Sequence, residues 1–185
     1  MSSKHHSLLQ ISMLNNNSIR HFKNLLKSLK HYVEYYNIHV TDSGLEINSM
    51  NERKISFIQI KVGEDYFDTF TRNDLSMIGI PAETFSKCLR CCPKTKELHL
   101  EIYEHDPDTL QIHMKSKRRS VRVKMSLLEL DTESLEIPTI EYDSVIEMPV
   151  QTLLSTIHDF ELLECEKIIL ETYAKHFKLI GSNNT

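Results

Sequence analysis

Cys88, Cys91 and Cys92 lie within five residues of one another, in a chain that also carries ten histidines. Thiols and imidazoles at such density raise two chemistries, a structural zinc and a thiol nucleophile. The Cys-x2-Cys spacing occurs once, without the second pair that a structural zinc site needs. On a helix, Cys88 and Cys92 fall on the same face as Phe85 and Leu89, so these thiols read as core packing. His105, Asp106 and Asp108 sit in a turn, where solvated polar residues are the rule. There is no phosphate-binding glycine loop, no His-Glu-x-x-His and no Gly-x-Ser-x-Gly. The sequence therefore argues against an enzyme and calls for no cofactor and no metal.

The charged residues are more informative. Net charge is −4, yet sign is segregated along the chain: four cations and no acid between residues 18 and 33, then six cations and no acid between residues 115 and 124. Arg20, Lys23, Lys27 and Lys30 are spaced three, four and three apart, which on a helix confines them to a stripe of about 80°. Lys87 and Arg90 share a face in the same way. Rows of cations on helices suit phosphate contact, which reads no bases and permits sliding. The spacing alone equally describes a solvated basic face.

Residues 126–143 read SLLELDTESLEIPTIEYD, six carboxylates with no Lys or Arg, and Leu127, Leu128, Leu130, Leu135 and Ile137 distributed among them. Pro138 argues against a long helix through the segment. A solvated linker has no use for large aliphatics in such number. They either fasten the loop to a sheet or form one wall of an apolar groove, and spacing does not choose between these.

The elements that must position these residues follow from periodicity. With 185 residues, 40% of them apolar, the chain has enough length for a real core. No apolar run reaches the 18 or so residues that span a bilayer, and the N-terminus lacks the apolar core of a secretory signal, so the expected location is cytosol or nucleus. Asn16, Asn17 and Ser18 are candidate caps for a helix whose apolar stripe is Ile19, Phe22, Leu26, Leu29 and Val33. A strand precedes it at residues 8–14; two more follow, joined by a turn at Asp42-Ser43-Gly44, and another covers residues 55–62. The order recurs: a helix over residues 81–92, then strands over 96–104 and 108–116 flanking a turn at residues 105–108. It recurs again with a strand at 144–148, a helix over 149–160, and strands over 167–173 and 176–181. Helices side by side on one face of antiparallel sheets, repeated every ~65–70 residues, make an α+β protein.

These segments resemble a known family. SGLEINSM (residues 43–50), SFIQI followed by YFDTF (56–70), FSKCLRC (85–91) and above all LLELDTESLEIPTIEYDSVIEMP (127–149) are similar to proliferating cell nuclear antigen, the sliding clamp of DNA replication. The resemblance runs from about residue 8 to 181. It implies the DNA clamp fold, with an N-terminal clamp domain over residues 1–125, an interdomain connecting loop over 126–141 and an incomplete C-terminal clamp domain over 142–185. It also implies a homotrimeric ring around double-stranded DNA, held without regard to sequence. Partners implied are DNA polymerase, the clamp loader, and flap endonuclease and ligase type proteins bearing clamp-docking peptides, in the nucleus or at a viral replication site.

Residue by residue, the resemblance puts Arg20, Lys23, Lys27, Lys30, Lys87 and Arg90 on the DNA-facing helices. Met50, Lys54 and Ile55 become the floor of the peptide groove, and Leu128, Leu135, Ile137 and Pro138 its loop-side wall. Val121, Val123 and Met125 fall on the strand at the subunit edge, where flanking Lys and Arg discourage promiscuous pairing. The run KSKRRSVRVK (residues 115–124) reads as that assembly edge first, and as a targeting or nucleic-acid patch second.

Two departures stand out. The third helix offers Gln151, Thr152, Ser155, Thr156, His158 and Asp159 where the family is basic. A fourth unit would be expected after residue 185, so the expectation is that this chain alone forms no stable ring. The alternative reading is a clamp-like paralogue or fragment that binds partner peptides without encircling DNA.

Overall fold

A computed structural model describes residues 6–51, 53, 55–130 and 141–183. It divides into two compact units at residue 135. The first unit opens with β1 (Ser7–Met13) and α1 (Asn16–Leu29). The cap of α1 is Asn15, one residue ahead of the candidates at 16–18: its Oδ1 accepts the backbone N–H groups of Asn17 and Ser18 at 2.9 and 3.3 Å. Two otherwise orphaned helix donors are satisfied by one side chain. Ile19, Phe22, Leu26 and Leu29 are buried as their spacing requires, and Val33 is buried beyond the helix end.

The strands β2 (Tyr35–Thr41) and β3 (Gly44–Met50) pair through a turn of two residues, Asp42-Ser43, and β4 (Phe57–Gly63) adds to β3. Gly44 is obligatory here, with φ of +133° and a virtual Cβ that would strike the Val62 carbonyl. A short 3-10 turn (Glu64–Tyr66) leads to β5 (Thr69–Arg72) and β6 (Met77–Pro81). Strand β6 is absent from the elements that periodicity marks, although Ile78 and Ile80 alternate onto the core as a strand should. Next come α2 (Ala82–Arg90), β7 (Glu97–Tyr103), β8 (Asp106–Lys115) and β9 (Ser120–Ser126). The turn between β7 and β8 is Glu104-His105, tighter than expected. Asp106 already pairs with Tyr103, and Pro107 is tolerated because the ladder is irregular there.

Two sheets result, ordered β5-β1-β7-β8-β9 and β4-β3-β2-β6. The repeat seen in the sequence is present as β1-α1-β2-β3 and β6-α2-β7-β8, and the two copies interlock. The strand before each helix pairs with the hairpin of the other copy: β1 with β7, and β6 with β2. Helices α1 and α2 lie against each other. The core between helices and sheets includes Leu9, Ile11, Phe22, Phe85, Leu89 and Leu98. Replacing a fully buried leucine such as Leu89 with alanine would cost about 2–5 kcal/mol.

The second unit contains α3 (Val150–Leu162), β10 (Lys167–Thr172) and β11 (Phe177–Ser182), the last two an antiparallel hairpin. Gly181 is closely approached by Cys165 and Phe160. The strand expected at residues 144–148 does not form. In the first unit, each strand preceding a helix has the hairpin of the other copy to pair with. No such hairpin is found for 144–148 among the described residues. The α3 face bearing Val150, Leu153, Leu154 and Ile157 remains exposed there.

Candidate nucleic-acid interface

Because α1 and α2 pack against each other, cations distant in sequence become neighbours. Arg20 on α1 is exposed, and Lys27 and Lys30 are half-buried; on α2, Lys87 and Arg90 are exposed. Glu83, one turn before Lys87, forms an ion pair with the Lys87 Nζ at 2.7 Å. The hydrogen bond from Lys87 and its charge depress the Glu83 carboxyl most, and Lys30 and Arg90 depress it further. A single exposed carboxylate therefore feels cations from both helices. An exposed pair of this kind contributes little to stability and is easily exchanged for another anion.

Lys23 departs from the expected row. Only 4% exposed, it donates from Nζ to the Cys92 carbonyl at 2.8 Å and to Thr95 Oγ1 at 2.9 Å, with Met114 Sδ at 3.9 Å. Burial, followed by the nearby charge of Lys27, pulls its pKa down to about 8. The physical reason lies in the helix: residue 23 is four after Ile19 and three before Leu26, so it borders the apolar stripe and points inward. The row that reaches solvent from α1 and its C-terminal cap is thus Arg20, with Lys27 and Lys30 half-buried beside it.

Beside that row opens a cavity of about 400 Å³, whose charged lining is Arg20, Lys23, Lys27, Lys94 and Lys96, with no carboxylate. Lys94 and Lys96 escape sequence reading because they lie outside any helix, where no periodicity marks them.

Of the residues expected to form a peptide groove, those within the described part sit around the four-stranded sheet. Met50 ends β3, half-buried and paired with Phe57. Ile55 is 79% exposed, its N–H held by Asn51 Oδ1 at 2.8 Å. Leu128 donates its N–H to the Gly79 carbonyl at 2.9 Å, bridging the start of the acidic segment to β6, and its side chain stays exposed. Gly79 permits this. A Cβ there would collide with the Leu128 carbonyl and press on Leu130 Cγ at 3.0 Å. Lys54, Leu135, Ile137 and Pro138 lie outside the described residues.

At the end of the five-stranded sheet, β9 pairs with β8 alone, leaving its far edge open among the described residues. Met125 is buried, and Val121 and Val123 pack partly against the core, so Arg122 and Lys124 face outward. Residues 116–119 form the turn before β9.

The cysteines divide by burial. Cys88 and Cys92 are buried and Cys91 is exposed. Desolvation raises the Cys88 thiol, the direction opposite to an activated nucleophile. Among the described residues, no group of three or more His, Cys, Asp or Glu side chains is arranged to hold a metal.

Comparison with known proteins agrees with this fold. Residues 10–134 match the model of the proliferating cell nuclear antigen N-terminal domain. The chain is 20% identical over 163 residues to proliferating cell nuclear antigen 2 of Drosophila melanogaster, covering 88% of this chain and 64% of that protein. It is 24% identical over 176 residues to a probable DNA polymerase sliding clamp 2 of Paramecium bursaria Chlorella virus 1, covering 94% and 64% respectively. Against proliferating cell nuclear antigen of Saccharomyces cerevisiae it is 22% identical over 144 residues, covering 77% and 55%. The aligned region thus spans between half and two thirds of each relative.

Proposed function

The chain belongs to the proliferating cell nuclear antigen family, and from that premise we propose that it is a DNA sliding clamp subunit, a scaffold rather than an enzyme. In this reading the subunit helps to form a ring around duplex DNA, with α1 and α2 toward the duplex. The ring holds replication and repair enzymes through a peptide groove. The observation that carries the proposal is the convergence of Lys30, at the C-terminal cap of α1, with Lys87 and Arg90 from α2 around Glu83. Helix-borne cations at that density attract phosphates through release of condensed counterions, a force indifferent to base sequence. Such contacts hold a duplex laterally while letting it slide.

Other surfaces of the first unit fit the same reading. The edge of β9 is proposed as the surface that meets the next subunit, with Arg122 and Lys124 selecting against stray strands. Exposed Ile55, half-buried Met50 and the Leu128 strap are proposed as part of the groove, which takes a short amphipathic segment from polymerase, clamp-loader, flap endonuclease or ligase type partners. Carboxylates on the strap, Glu129 among them, suit basic flanks on such peptides. The site of action is the nucleus, or a viral replication site.

Fluorescence anisotropy with two labelled 30-base-pair duplexes of unrelated sequence tests the proposal. The expected result is equal affinity for both, falling steeply with salt. Arg20→Gln, Lys27→Gln, Lys30→Gln, Lys87→Gln and Arg90→Gln combined should make the slope of log K against log salt shallower by several units, about 0.9 for each phosphate no longer neutralised. Sequence-selective binding, or a slope unchanged by the five substitutions, refutes it. Binding of a docking peptide with no DNA affinity at all would favour the paralogue reading.

A further inference from the structure

We propose that the turn after α2, through Lys94 and Lys96, is a second phosphate-contacting element that joins with α1 to cradle neighbouring backbone phosphates. The inference rests on the clamp reading above and adds residues that neither helix row contains.

The turn is pinned at both ends. Lys23 reaches out of α1 to hold the Cys92 carbonyl and Thr95 Oγ1, and the Thr95 hydroxyl donates to the Cys92 carbonyl as well. At the far end the Lys96 N–H donates to the Lys115 carbonyl at 2.7 Å. Pro93 narrows the backbone choices between these anchors. Lys94 and Lys96 are therefore presented from a fixed backbone rather than a loose loop. Both are exposed and share one cavity of about 400 Å³ with Arg20 and Lys27. No carboxylate lines that cavity, in contrast to the α2 end of the surface, where Glu83 already occupies Lys87. A volume of this size admits a phosphate group with its water, and the Asn16, Asn17 and Asn24 side chains in the same lining add neutral donors. Lys23 acts here as a positioning residue: its own donors are spent on the turn, so the contacts to phosphate fall to Arg20, Lys27, Lys94 and Lys96.

The test uses the full chain and a labelled 30-base-pair duplex of mixed sequence, with affinity followed by anisotropy from 25 to 200 mM salt. Lys94→Gln with Lys96→Gln is compared with Arg20→Gln with Lys27→Gln, and circular dichroism verifies that each variant folds. Both lysines are exposed, so folding should be untouched. The proposal expects the Lys94/Lys96 variant to bind about tenfold more weakly at 50 mM salt and to have a slope shallower by roughly 1.8, from two fewer neutralised phosphates at 0.9 each. If that variant keeps the parent slope while the Arg20/Lys27 variant does not, the turn makes no contact and this inference falls while the clamp reading stands. If neither variant changes the slope, this inference falls as well, and the clamp reading falls with it only if adding Lys30→Gln, Lys87→Gln and Arg90→Gln also leaves the slope unchanged.

Discussion

Lys23 gives the sharpest energetic prediction. Its ammonium is nearly sealed from solvent, and its pKa is drawn from 10.5 to about 8. A folded-state pKa below the unfolded one means that the folded protein releases the proton first. Stability is therefore lowest while Lys23 is charged, rises as pH climbs through 8, and levels off above 10.5. Between pH 7 and pH 10 this one group should add about 2.5 kcal/mol to the unfolding free energy. Lys23→Met supplies a chain of similar length without the charge. The Cys92 carbonyl keeps a donor in that variant, because the Thr95 hydroxyl also bonds to it. Urea unfolding followed by circular dichroism at pH 7, 8, 9 and 10, under reducing conditions, gives the comparison. The parent should gain on Lys23→Met by about 2.5 kcal/mol across that interval, with other titrating groups cancelling between the two proteins. Parallel stability curves would show that burial does not depress the Lys23 ammonium, and would refute this reasoning.

Other substitutions probe separate parts of the structure. Gly79→Val should push the Leu128 strap off β6, lowering stability by about 1–2 kcal/mol and weakening a docking peptide by about tenfold in calorimetric titration; unchanged peptide affinity would separate the strap from the groove. Ile55→Glu, at an exposed position, should leave the urea midpoint unaltered yet abolish detectable peptide binding. Tyr36 Oη is sealed in the first unit with no hydrogen-bond partner among the described residues, so Tyr36→Phe should raise stability by about 1 kcal/mol; a decrease instead would reveal a partner for that hydroxyl.

Much of the first unit is legible in the sequence because helix and strand periods are strong there. The stripes on α1 and α2 and the alternation of β7 and β8 bury the residues that their spacing marks, while β9 buries Met125 and covers Val121 and Val123 only in part. The helix cap and the turn lengths are less legible, since neighbouring Asn residues compete for the cap and a proline can hide at a bulge. Residues 144–148 have strand-like composition, but a strand also needs a ladder partner, which no local pattern encodes. Lys23 is hard to place for a related reason. Charge suggests surface, and only its position between Ile19 and Leu26 warns that the helix turns it inward. Lys94 and Lys96 are not legible at all, because the tie that fixes them comes from residue 23, about seventy positions away.

The central claim is that duplex DNA runs along the α1–α2 face without its bases being read. Photo-crosslinking tests this most directly, with a reactive side chain placed at exposed Asn24 on α1 or at exposed Gln59 on β4, each mixed with duplexes of unrelated sequence. Strong crosslinking from position 24 to every duplex, and little from position 59, is the result expected. Equal yields from the two positions, or crosslinks confined to one duplex sequence, would contradict it.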